Sequence, residues 1–380
     1  MGKDILILGA GFGGLEAATG LRAQLDNSHH ITLIDKNDSF VFGFNKFEVM
    51  FGRRSPESVK SYYKDIAAEG VTFVQDAVKE IDLISKRVKT ASAEFPYDFL
   101  IVALGADLAP EATPGFVTGG HHFYSLEGAE RLRPIIETFQ AGTILISIFG
   151  APYKCPPAPF EAAFQLHDYF THKGIRDNIT IKLLTPAPSA LPVSPTGTAE
   201  VERRLKERSI PLLTGHQVTS LDPEKRQAIV EGHDPASYDL FLGVPLHVPP
   251  QVVRQSAFGG WITVNHDTLE TQFTNVYAVG DVTKFPVGAG AVPKAGAFAE
   301  GAAKVVVTDI VNKILGRNDP VKFDGTGACF LEFGAGEIAR LEANFLGGEK
   351  PEVLLVGPTA DFRSDKVDFE TSRKGRWFKS

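Results

Sequence analysis

Cysteine is scarce in this sequence. Its 380 residues include only two cysteines, Cys155 and Cys329. Two cysteines are too few for a secreted scaffold held together by several disulfides and for any four-cysteine zinc or iron–sulfur site. Without a Cys-x-x-Cys-His segment there is no attached c-type haem either. The two cysteines are therefore incidental core residues or a deliberate pair, and composition leaves both open.

Long apolar runs are lacking too. No uncharged apolar run reaches the roughly 18 residues that a membrane-crossing helix needs. Asp4 and the early glycines favour a buried first strand over a cleavable signal peptide. A net charge of −7 argues against a nucleic-acid partner. We expect a cytoplasmic or peripherally membrane-attached protein without signal peptide, transmembrane helix or metal site.

Two strand–helix–strand units dominate the pattern. Strand Asp4–Leu8, a helix from about Gly14 and strand Ile31–Ile34 form the first. Strand Thr143–Phe149, a helix at about 157–172 and a strand at 179–184 form the second. The sequence therefore predicts an α/β fold with two Rossmann-like dinucleotide-binding domains and a small C-terminal α+β tail. The predicted domains are residues 1–110 with 262–318, residues 111–261 and residues 319–380.

A glycine-rich turn links the first strand to its helix. In residues 9–14 the first glycine permits a tight turn, the second lets the backbone approach a pyrophosphate, and the third allows close helix packing. An acidic residue about 20 positions later should hold ribose hydroxyls. A purely structural turn is the weaker alternative. The predicted cofactor-binding residues of this unit are Gly9, Gly11, Phe12, Gly13, Gly14, Asp35 and Lys36.

Two further segments resemble motifs of flavoproteins with two dinucleotide-binding domains. They are the strand and turn ending at Gly105 and the run Thr274–Asp281. The resemblance implies an FAD domain that also uses Gly105, Gly280 and Asp281, the last on the ribityl chain. It also places Lys294 near the flavin N1–O2 edge, where its charge would stabilise a reduced anionic flavin. A solvated surface lysine is the alternative.

The second glycine turn is degenerate. Gly150 is retained, but Pro152 and Cys155 occupy the second and third glycine positions. A proline ring blocks close approach of a pyrophosphate and removes an amide donor. We therefore expect the fold of a nicotinamide domain without its phosphate cradle, and an electron donor other than NAD(P)H. A type II NADH dehydrogenase is accordingly disfavoured.

Residues 151–161 resemble the Cys-Pro-Pro-x-Pro-[Tyr/Phe]-Glu segment of sulfide:quinone oxidoreductases and of the flavin subunit of flavocytochrome c sulfide dehydrogenase. Residues 325–334, 293–300 and 373–378 are similar to the same family. The resemblance implies a Cys155–Cys329 redox disulfide that sulfide or a related sulfur donor opens by exchange. Electrons would then pass through FAD to a quinone. Cys155 is expected to have a thiol pKa lowered by a helix dipole and Lys154. Glu161 is either a general acid/base or a first-turn helix carboxylate.

Several features leave alternatives open. The family's third cysteine is absent from residues 121–125, and residues 42–49 lack the cysteine that binds flavin covalently in flavocytochrome c. FAD is therefore expected to be non-covalent. The C-terminal residues 373–379 suit either weak membrane-surface contact or a packed terminus, and a homodimer stays open. Alternative functions are the flavin subunit of a cytochrome-coupled sulfide dehydrogenase and a flavin redox sensor or scaffold. Aromatic residues that either flank a quinone or belong to the core are Phe330, Phe333 and Phe362.

Overall fold

The first strand of the chain lies in the middle of a five-stranded parallel sheet. The computed structural model describes residues 2–288 and 290–379. Its α-helices are α1 (Phe12–Gln24), α2 (Asn45–Met50), α3 (Phe116–Gly119), α4 (Leu126–Thr138), α5 (Ala158–His172), α6 (Pro195–Glu207), α7 (Gln251–Gln255), α8 (Gly296–Leu315) and α9 (Phe362–Trp377). Short 3-10 turns lie at Glu57–Val59, Tyr63–Asp65, Pro110–Ala112, Arg176–Asn178 and Gly280–Val282.

The strands are numbered in chain order. Those of the first half are β1 (Asp4–Leu8), β2 (His30–Asp35), β3 (Ser39–Val41), β4 (Lys60–Tyr62), β5 (Val71–Gln75), β6 (Val78–Asp82), β7 (Arg87–Thr90), β8 (Glu94–Pro96), β9 (Phe99–Val102), β10 (Asp107–Ala109), β11 (Gly142–Ile148) and β12 (Ile179–Thr185). Those of the second half are β13 (Leu212–Thr214), β14 (Val218–Asp222), β15 (Gln227–Val230), β16 (Ala236–Ser237), β17 (Leu240–Val244), β18 (Leu246–Val248), β19 (Ile262–Thr263), β20 (Val276–Ala278), β21 (Thr283–Lys284), β22 (Pro286–Val287), β23 (Gly290–Ala291), β24 (Thr326–Gly334), β25 (Glu337–Asn344) and β26 (Glu352–Thr359).

The five-stranded sheet has the order β20-β9-β1-β2-β5, and all its pairings are parallel. Ile7 of β1 lies opposite Leu33 of β2 on one side and Ile101 of β9 on the other. All three side chains are fully buried. Near-continuous aliphatic strands are what a parallel sheet covered on both faces requires. The contribution of β20, from residues far along the chain, makes this unit discontinuous.

A second parallel sheet follows the order β13-β12-β11-β17. Helix α5 follows β11 after a proline-rich turn and packs against β11 and β12. The two parallel sheets confirm the predicted α/β class with two Rossmann-like units. The strands β10 and β18 pair with each other at the crossings between the two units. The exact domain bounds stay a prediction.

The C-terminal part is an antiparallel sheet of β24, β25 and β26 with helix α9. Strand β24 packs against α5 and α8, so this sheet lies beside both Rossmann-like units. Helix α9 contacts β25 and α1, and its last residue, Trp377, is fully buried. Across the described ranges, no helix combines the length and apolar character that a membrane crossing demands.

Candidate active site

The turn between β1 and α1 needs glycine for steric reasons. Gly9 has a left-handed backbone with φ of +95°, and a Cβ atom there would lie 2.4 Å from the carbonyl oxygen of Ala103. A Cβ atom on Gly14 would lie 1.8 Å from the carbonyl oxygen of Gly9. Both separations are far below van der Waals contact, so the turn and the start of α1 can form only without these side chains. The backbone at Gly9 and Gly14 therefore packs as closely against neighbouring backbone as it does in a dinucleotide-binding turn.

Three other glycines border open space. A Cβ atom added to Gly11, Gly43 or Gly105 would meet no heavy atom within 4 Å, and all three residues line the main cavity of the protein, which lies beside the turn. Glycines that face a cavity rather than a neighbour leave room for a ligand to lie against the backbone. The positive end of α1, which begins at Phe12, opens onto the same cavity and suits a phosphate group. These residues fit the extended, anionic shape of FAD.

Asp35 stabilises the turn itself. Its Oδ2 atom accepts a hydrogen bond of 2.7 Å from the backbone N–H of Ala10, and its Oδ1 atom accepts one of 2.8 Å from that of Asn37. Lys36 is exposed at the end of the same strand. Neither residue lines the main cavity. Both lie at the carboxyl end of β2, beside the glycine turn, so their predicted role at a ribose stays a prediction.

The main cavity brings together residues that are far apart in the chain. It is lined by α1 and β3, by the turn before α5, by the start of α8 and by β24. The thiol groups and the nucleotide cradle therefore share one enclosed space. Of the residues predicted from sequence, those on its wall are Gly11, Phe12, Gly13, Gly105, Cys155, Glu161, Gly280, Asp281, Lys294, Cys329 and Phe330.

Cys155 lies in a strained and firmly held turn. Its φ is +52°, a left-handed conformation that is uncommon for a residue with a side chain. Its N–H donates to the carbonyl oxygen of Lys294 over 2.9 Å, and its own carbonyl accepts from the N–H of Ala158 over 2.9 Å. Strain of this kind costs about 1–3 kcal/mol and concentrates at functional sites.

The same hydrogen bonds explain why the second glycine turn does not resemble a phosphate cradle. Pro152, Pro156 and Pro157 have no N–H group, and the N–H of Cys155 is already bonded. At the start of α5, the N–H groups of Phe160 and Glu161 both donate to the carbonyl oxygen of Pro157. Few amides are left to bind an anion at this turn.

The expectation for the Cys155 pKa is wrong in direction. Burial raises the pKa of this thiol well above its usual range, and the nearby groups of Cys329 and Glu161 raise it further. Lys46 and the N–H of Ala158 oppose this shift without overcoming it. Cys155 precedes α5 by three residues, so it does not sit in the helix's first turn. Burial likewise raises the pKa of Cys329 to about 11. Both cysteines are free thiols in this structure.

Glu161 is a buried carboxyl group beside both thiols. It is 3% exposed, and burial raises its pKa well above the ordinary carboxyl range. Its Oε1 atom accepts a hydrogen bond of 3.1 Å from Gln165 and lies 3.8 Å from the ammonium group of Lys366. A carboxyl group that keeps its proton near neutral pH can exchange it with a neighbouring thiol.

Three lysines surround Asp281 at the other side of the cavity. Burial lowers the pKa of Lys46 and of Lys294 to about 8 each, and both lie close enough to Asp281 for their charges to interact. The positive charge of Lys154 lowers the pKa of all three of these groups. Burial in turn raises the pKa of Asp281. The cluster places positive charge where an anionic ligand would lie.

Lys294 is not a solvated surface lysine. It is 8% exposed, and its ammonium group donates to the carbonyl oxygens of Asp281 and Thr283, the latter over 3.2 Å. The ring of Trp261 lies 3.7 Å away. Lys46 was not predicted from sequence, although its ammonium group donates to the carbonyl of Tyr124 over 3.0 Å and lines the cavity. The one sequence feature that could have drawn attention to Lys46 is its position in segment 42–49, which in flavocytochrome c contains the flavin-binding cysteine.

Of the three aromatic residues that either flank a quinone or belong to the core, only Phe330 lines the main cavity. Phe333 is fully buried against Phe164, with ring centres 4.9 Å apart, and so belongs to the core. Phe362 lies under the guanidinium of Arg340, outside the main cavity. Phe330 does line the cavity, with its ring centre 5.9 Å from that of Phe369. Sequence reasoning missed Phe369 because no motif surrounds it.

The C-terminal segment is a packed terminus. Trp377 is fully buried and Phe378 is 6% exposed, so neither aromatic side chain faces outward to a lipid surface. Arg376 donates to the carboxylates of Glu16 on α1 and Glu300 on α8, over 2.7 and 2.8 Å. Arg373 also donates to Glu300, over 2.7 Å. Arg373 and Arg376 therefore pair with buried acids on the helices that follow the glycine turn and Lys294.

Comparison with known proteins identifies the family of the chain and its relatives. Residues 3–299 match the pyridine nucleotide-disulphide oxidoreductase family. The chain is 25% identical to the mitochondrial sulfide:quinone oxidoreductase of Dictyostelium discoideum, covering 98% of this chain and 86% of that protein. It is 27% identical to the sulfide-quinone reductase of Aquifex aeolicus, covering 88% and 82%.

A solved structure shows the same fold. The sulfide:quinone oxidoreductase structure from Aquifex aeolicus superposes with a TM-score of 0.88 at 22% identity, covering 98% of this chain and 91% of that one. The family match and the glycine cradle together indicate an oxidoreductase with a flavin cofactor. The chain belongs to the pyridine nucleotide-disulphide oxidoreductase family.

Proposed function

We propose that this enzyme oxidises sulfide, or a related sulfur donor, through a redox disulfide between Cys155 and Cys329 and passes the electrons through FAD to a quinone. The observation that carries the proposal is the placement of both cysteines, which are the chain's entire cysteine content, on the wall of the cavity that the nucleotide cradle opens into. The names of the relatives from Dictyostelium discoideum and Aquifex aeolicus support the donor and the acceptor.

The sulfur chemistry balances without a further reactant. A hydrosulfide ion attacks one sulfur of the Cys155–Cys329 disulfide, so that a persulfide forms on one cysteine and a thiolate on the other. Closure of the disulfide by exchange alone would expel sulfide again. When two electrons are removed from the persulfide–thiolate pair, closure instead releases the added sulfur at the oxidation level of sulfane sulfur. The sum is one hydrosulfide ion converted into one sulfane sulfur, one proton and two electrons. The flavin, when bound, takes up the electron pair and passes it to the acceptor.

The chain's own groups serve distinct parts of this cycle. The hydrogen bond to the carbonyl of Lys294 holds the backbone of Cys155 against the start of α8. Glu161 lies beside both thiols, and the ionised fraction of this carboxyl group takes up the proton that sulfide oxidation releases. The cluster of Lys46, Lys154 and Lys294 stabilises the negative charge of a reduced flavin.

Cys329 is accessible from a second side. Besides the main cavity it lines a smaller pocket whose walls are mostly apolar, among them Pro156, Leu341 and Phe345. Uncharged hydrogen sulfide enters an apolar pocket more readily than the hydrosulfide ion, because burial of an unpaired charge is costly. We infer that neutral hydrogen sulfide reaches Cys329 by this route.

The quinone binds on the side of Phe330 and Phe369. A wide groove shares both residues with the main cavity, so the two rings lie between the groove and the cavity. Phe44 also lines the cavity, and its ring is within reach of the ammonium of Lys366 at 4.9 Å. Flat aromatic walls with a nearby cation suit a quinone ring and the charge that it gains on reduction.

An anaerobic absorption titration tests this function. Stoichiometric sulfide added to the flavin-loaded protein should bleach the flavin within mixing time, and a soluble quinone should restore its colour over repeated cycles. Stoichiometric NADH should not bleach it, because the second glycine turn is blocked by Pro152. Bleaching by NADH but not by sulfide would contradict the proposal. A titration that stops after one equivalent would indicate a redox sensor, and reoxidation by a cytochrome alone would indicate a cytochrome-coupled flavin subunit.

A further inference from the structure

Glu161, on the wall of the cavity, belongs to a buried charged cluster whose other two members, Lys366 and Glu332, have no part in the thiol chemistry above. Lys366, on the C-terminal helix α9, donates to the carboxylate of Glu332 on β24 and lies 3.8 Å from Glu161 on α5. The side chains of Lys366 and Glu332 are 11% and 22% exposed. One ammonium group therefore stands between two carboxyl groups from different parts of the fold.

We propose that Lys366 is a positioning residue for the thiol chemistry: held by Glu332, it fixes Glu161 beside Cys155 and Cys329 and keeps part of its population ionised as a proton acceptor. This inference rests on the proposed function, since it assigns Glu161 the proton that thiol oxidation releases. It places one necessary part of the thiol site on the C-terminal helix, more than 200 residues from Cys155 in sequence.

The groups around Lys366 suit a positioning role. Phe44 lies on one side of its ammonium group at 4.9 Å from the ring centre, and the two carboxyl groups lie on others. Burial would lower the pKa of Lys366, but the charges of Glu161 and Glu332 outweigh it and raise that pKa. The side chain is thus held as a cation through the neutral range, and it cannot itself act as the base.

Glu161 is also bonded from the other side. Gln165, one turn along α5, donates to Glu161, and Arg53 donates to the side-chain carbonyl of Gln165 over 2.5 Å. The pKa of Glu161 is raised by burial and by the charge of Glu332, and it is lowered by Lys366, by a hydrogen bond from the backbone N–H of Glu332 and by Arg53. Lys366 is the nearest cation and the larger of the two lowering charges.

The surroundings of the cluster complete the set of charges that act on it. The pKa of Lys366 is raised further by Glu48 of α2. Burial would raise the pKa of Glu332, but Lys366, Arg53 and Arg363 lower it, so Glu332 stays ionised. The two thiols face Glu161 across the cavity and gain a raised pKa from it. Removal of Lys366 would leave Glu161 facing only Glu332 and the more distant Arg53.

The decisive experiment measures the pKa of Glu161 by infrared titration of the flavin-loaded protein, with the carboxyl band assigned through Glu161→Gln. Loss of an opposite charge at this distance should raise the pKa of Glu161 by about 1–3 units in Lys366→Met. Lys366→Arg should restore it. The matched control is Lys374→Met, because Lys374 lies on the same helix and pairs with Glu370 as Lys366 pairs with Glu332. An unchanged Glu161 pKa in Lys366→Met would overturn the inference.

A second variant keeps the test independent of folding. Glu332→Gln removes a like charge and leaves Lys366 to Glu161 alone, so the pKa of Glu161 should fall in this variant. A rise, or no change, would contradict the inference. The rate of sulfide-driven flavin reduction is a separate measurement. A one-unit rise in the Glu161 pKa should lower this rate about tenfold at pH 7 and shift the pH dependence of the rate to higher pH. If no sulfide is oxidised by any variant, the proposed function fails while the infrared result still decides the role of Lys366.

Discussion

The indole N–H of Trp377 donates a hydrogen bond of 2.8 Å to the Oε2 atom of Glu16, a residue 361 positions earlier in the chain. Glu16 lies on α1, directly after the glycine turn, and the same Oε2 atom accepts from Arg376. The last residues of the protein therefore support the helix whose start faces the cavity.

We expect Trp377→Ala to destabilise the protein by about 3–5 kcal/mol, because it leaves a cavity where a fully buried indole packed. It also deprives the 6% exposed Glu16 of a hydrogen bond. Urea unfolding of the variant measures the loss. Val367→Ala on the same helix is the matched control, since Val367 is 54% exposed and should change little. Equal effects of the two substitutions would show that the packing of Trp377 is unimportant.

Substitution of either cysteine separates the thiol chemistry from cofactor binding. Cys155→Ser and Cys329→Ser should each abolish sulfide-driven bleaching of the flavin while the flavin content of the purified protein stays normal. The reason is that serine cannot form the disulfide, yet the glycine cradle is untouched. Stopped-flow absorbance under anaerobic conditions measures the bleaching. Near-normal bleaching in either variant would rule out a two-cysteine mechanism.

The buried charge of Lys46 is expected to destabilise the folded state of the flavin-free protein. Burial lowers its pKa to about 8 from an unfolded value of about 10.4, so the unfolded state binds more protons between these values. Stability should therefore rise with pH across this window. Lys46→Met should raise the stability of the flavin-free protein at pH 7 by about 3 kcal/mol and flatten this dependence.

The same substitution should weaken flavin binding, because the ammonium group lies in the cavity that receives an anionic cofactor. Thermal unfolding from pH 7 to pH 10, with and without added FAD, measures both effects. Lys79→Met is the control, since Lys79 is exposed on β6. A Lys46→Met protein that is less stable without flavin, or binds it as tightly as before, would contradict this account.

Phe330 and Phe369 should determine quinone affinity. Phe330→Ala and Phe369→Ala each remove an aromatic wall of the cavity, and we expect the KM for quinone to rise about tenfold. The rate of flavin reduction by sulfide should be unchanged, because it occurs in the half-reaction without quinone. Phe362→Ala serves as the control, since that ring lies under Arg340 outside the cavity. If these variants changed only the rate of flavin reduction by sulfide and left the KM for quinone unchanged, the quinone would bind at another place.

The flavin should be released by acid. The two cysteines face the cavity near Glu161, and the segment 42–49 contains none. We therefore expect trichloroacetic acid to leave all yellow colour in the supernatant and a colourless pellet. A yellow pellet would reveal a covalent bond between the flavin and a side chain of the protein.

Local patterns were enough to predict the cradle. Gly9, Gly11 and Asp281 lie in motifs whose spacing reflects contacts close in sequence, and the structure places them at the turn or on the cavity wall. Lys46, Lys366 and Phe369 escaped prediction because tertiary packing alone brings them there. No local pattern marks a residue whose partners lie far away along the chain.

Burial explains the expectation that was wrong. A thiol before a helix with a lysine beside it suggests a lowered pKa, and sequence contains nothing on how deeply that thiol is enclosed. In the structure, enclosure outweighs the favourable charges at Cys155. The aromatic residues at the C terminus illustrate the same limit, since Trp377 and Phe378 pair with cations in sequence but pack inward in space.

The main-chain bond between Cys155 and Lys294 joins the two Rossmann-like units at the reacting sulfur. Lys154 and Lys294 form an isolated parallel bridge at the same point. A hinge between the units could not open here without breaking this junction. The backbone position of Cys155 is consequently fixed relative to the start of α8. The turn that carries Cys155 follows a strand of the second sheet, yet its backbone is anchored to the segment that leads into α8.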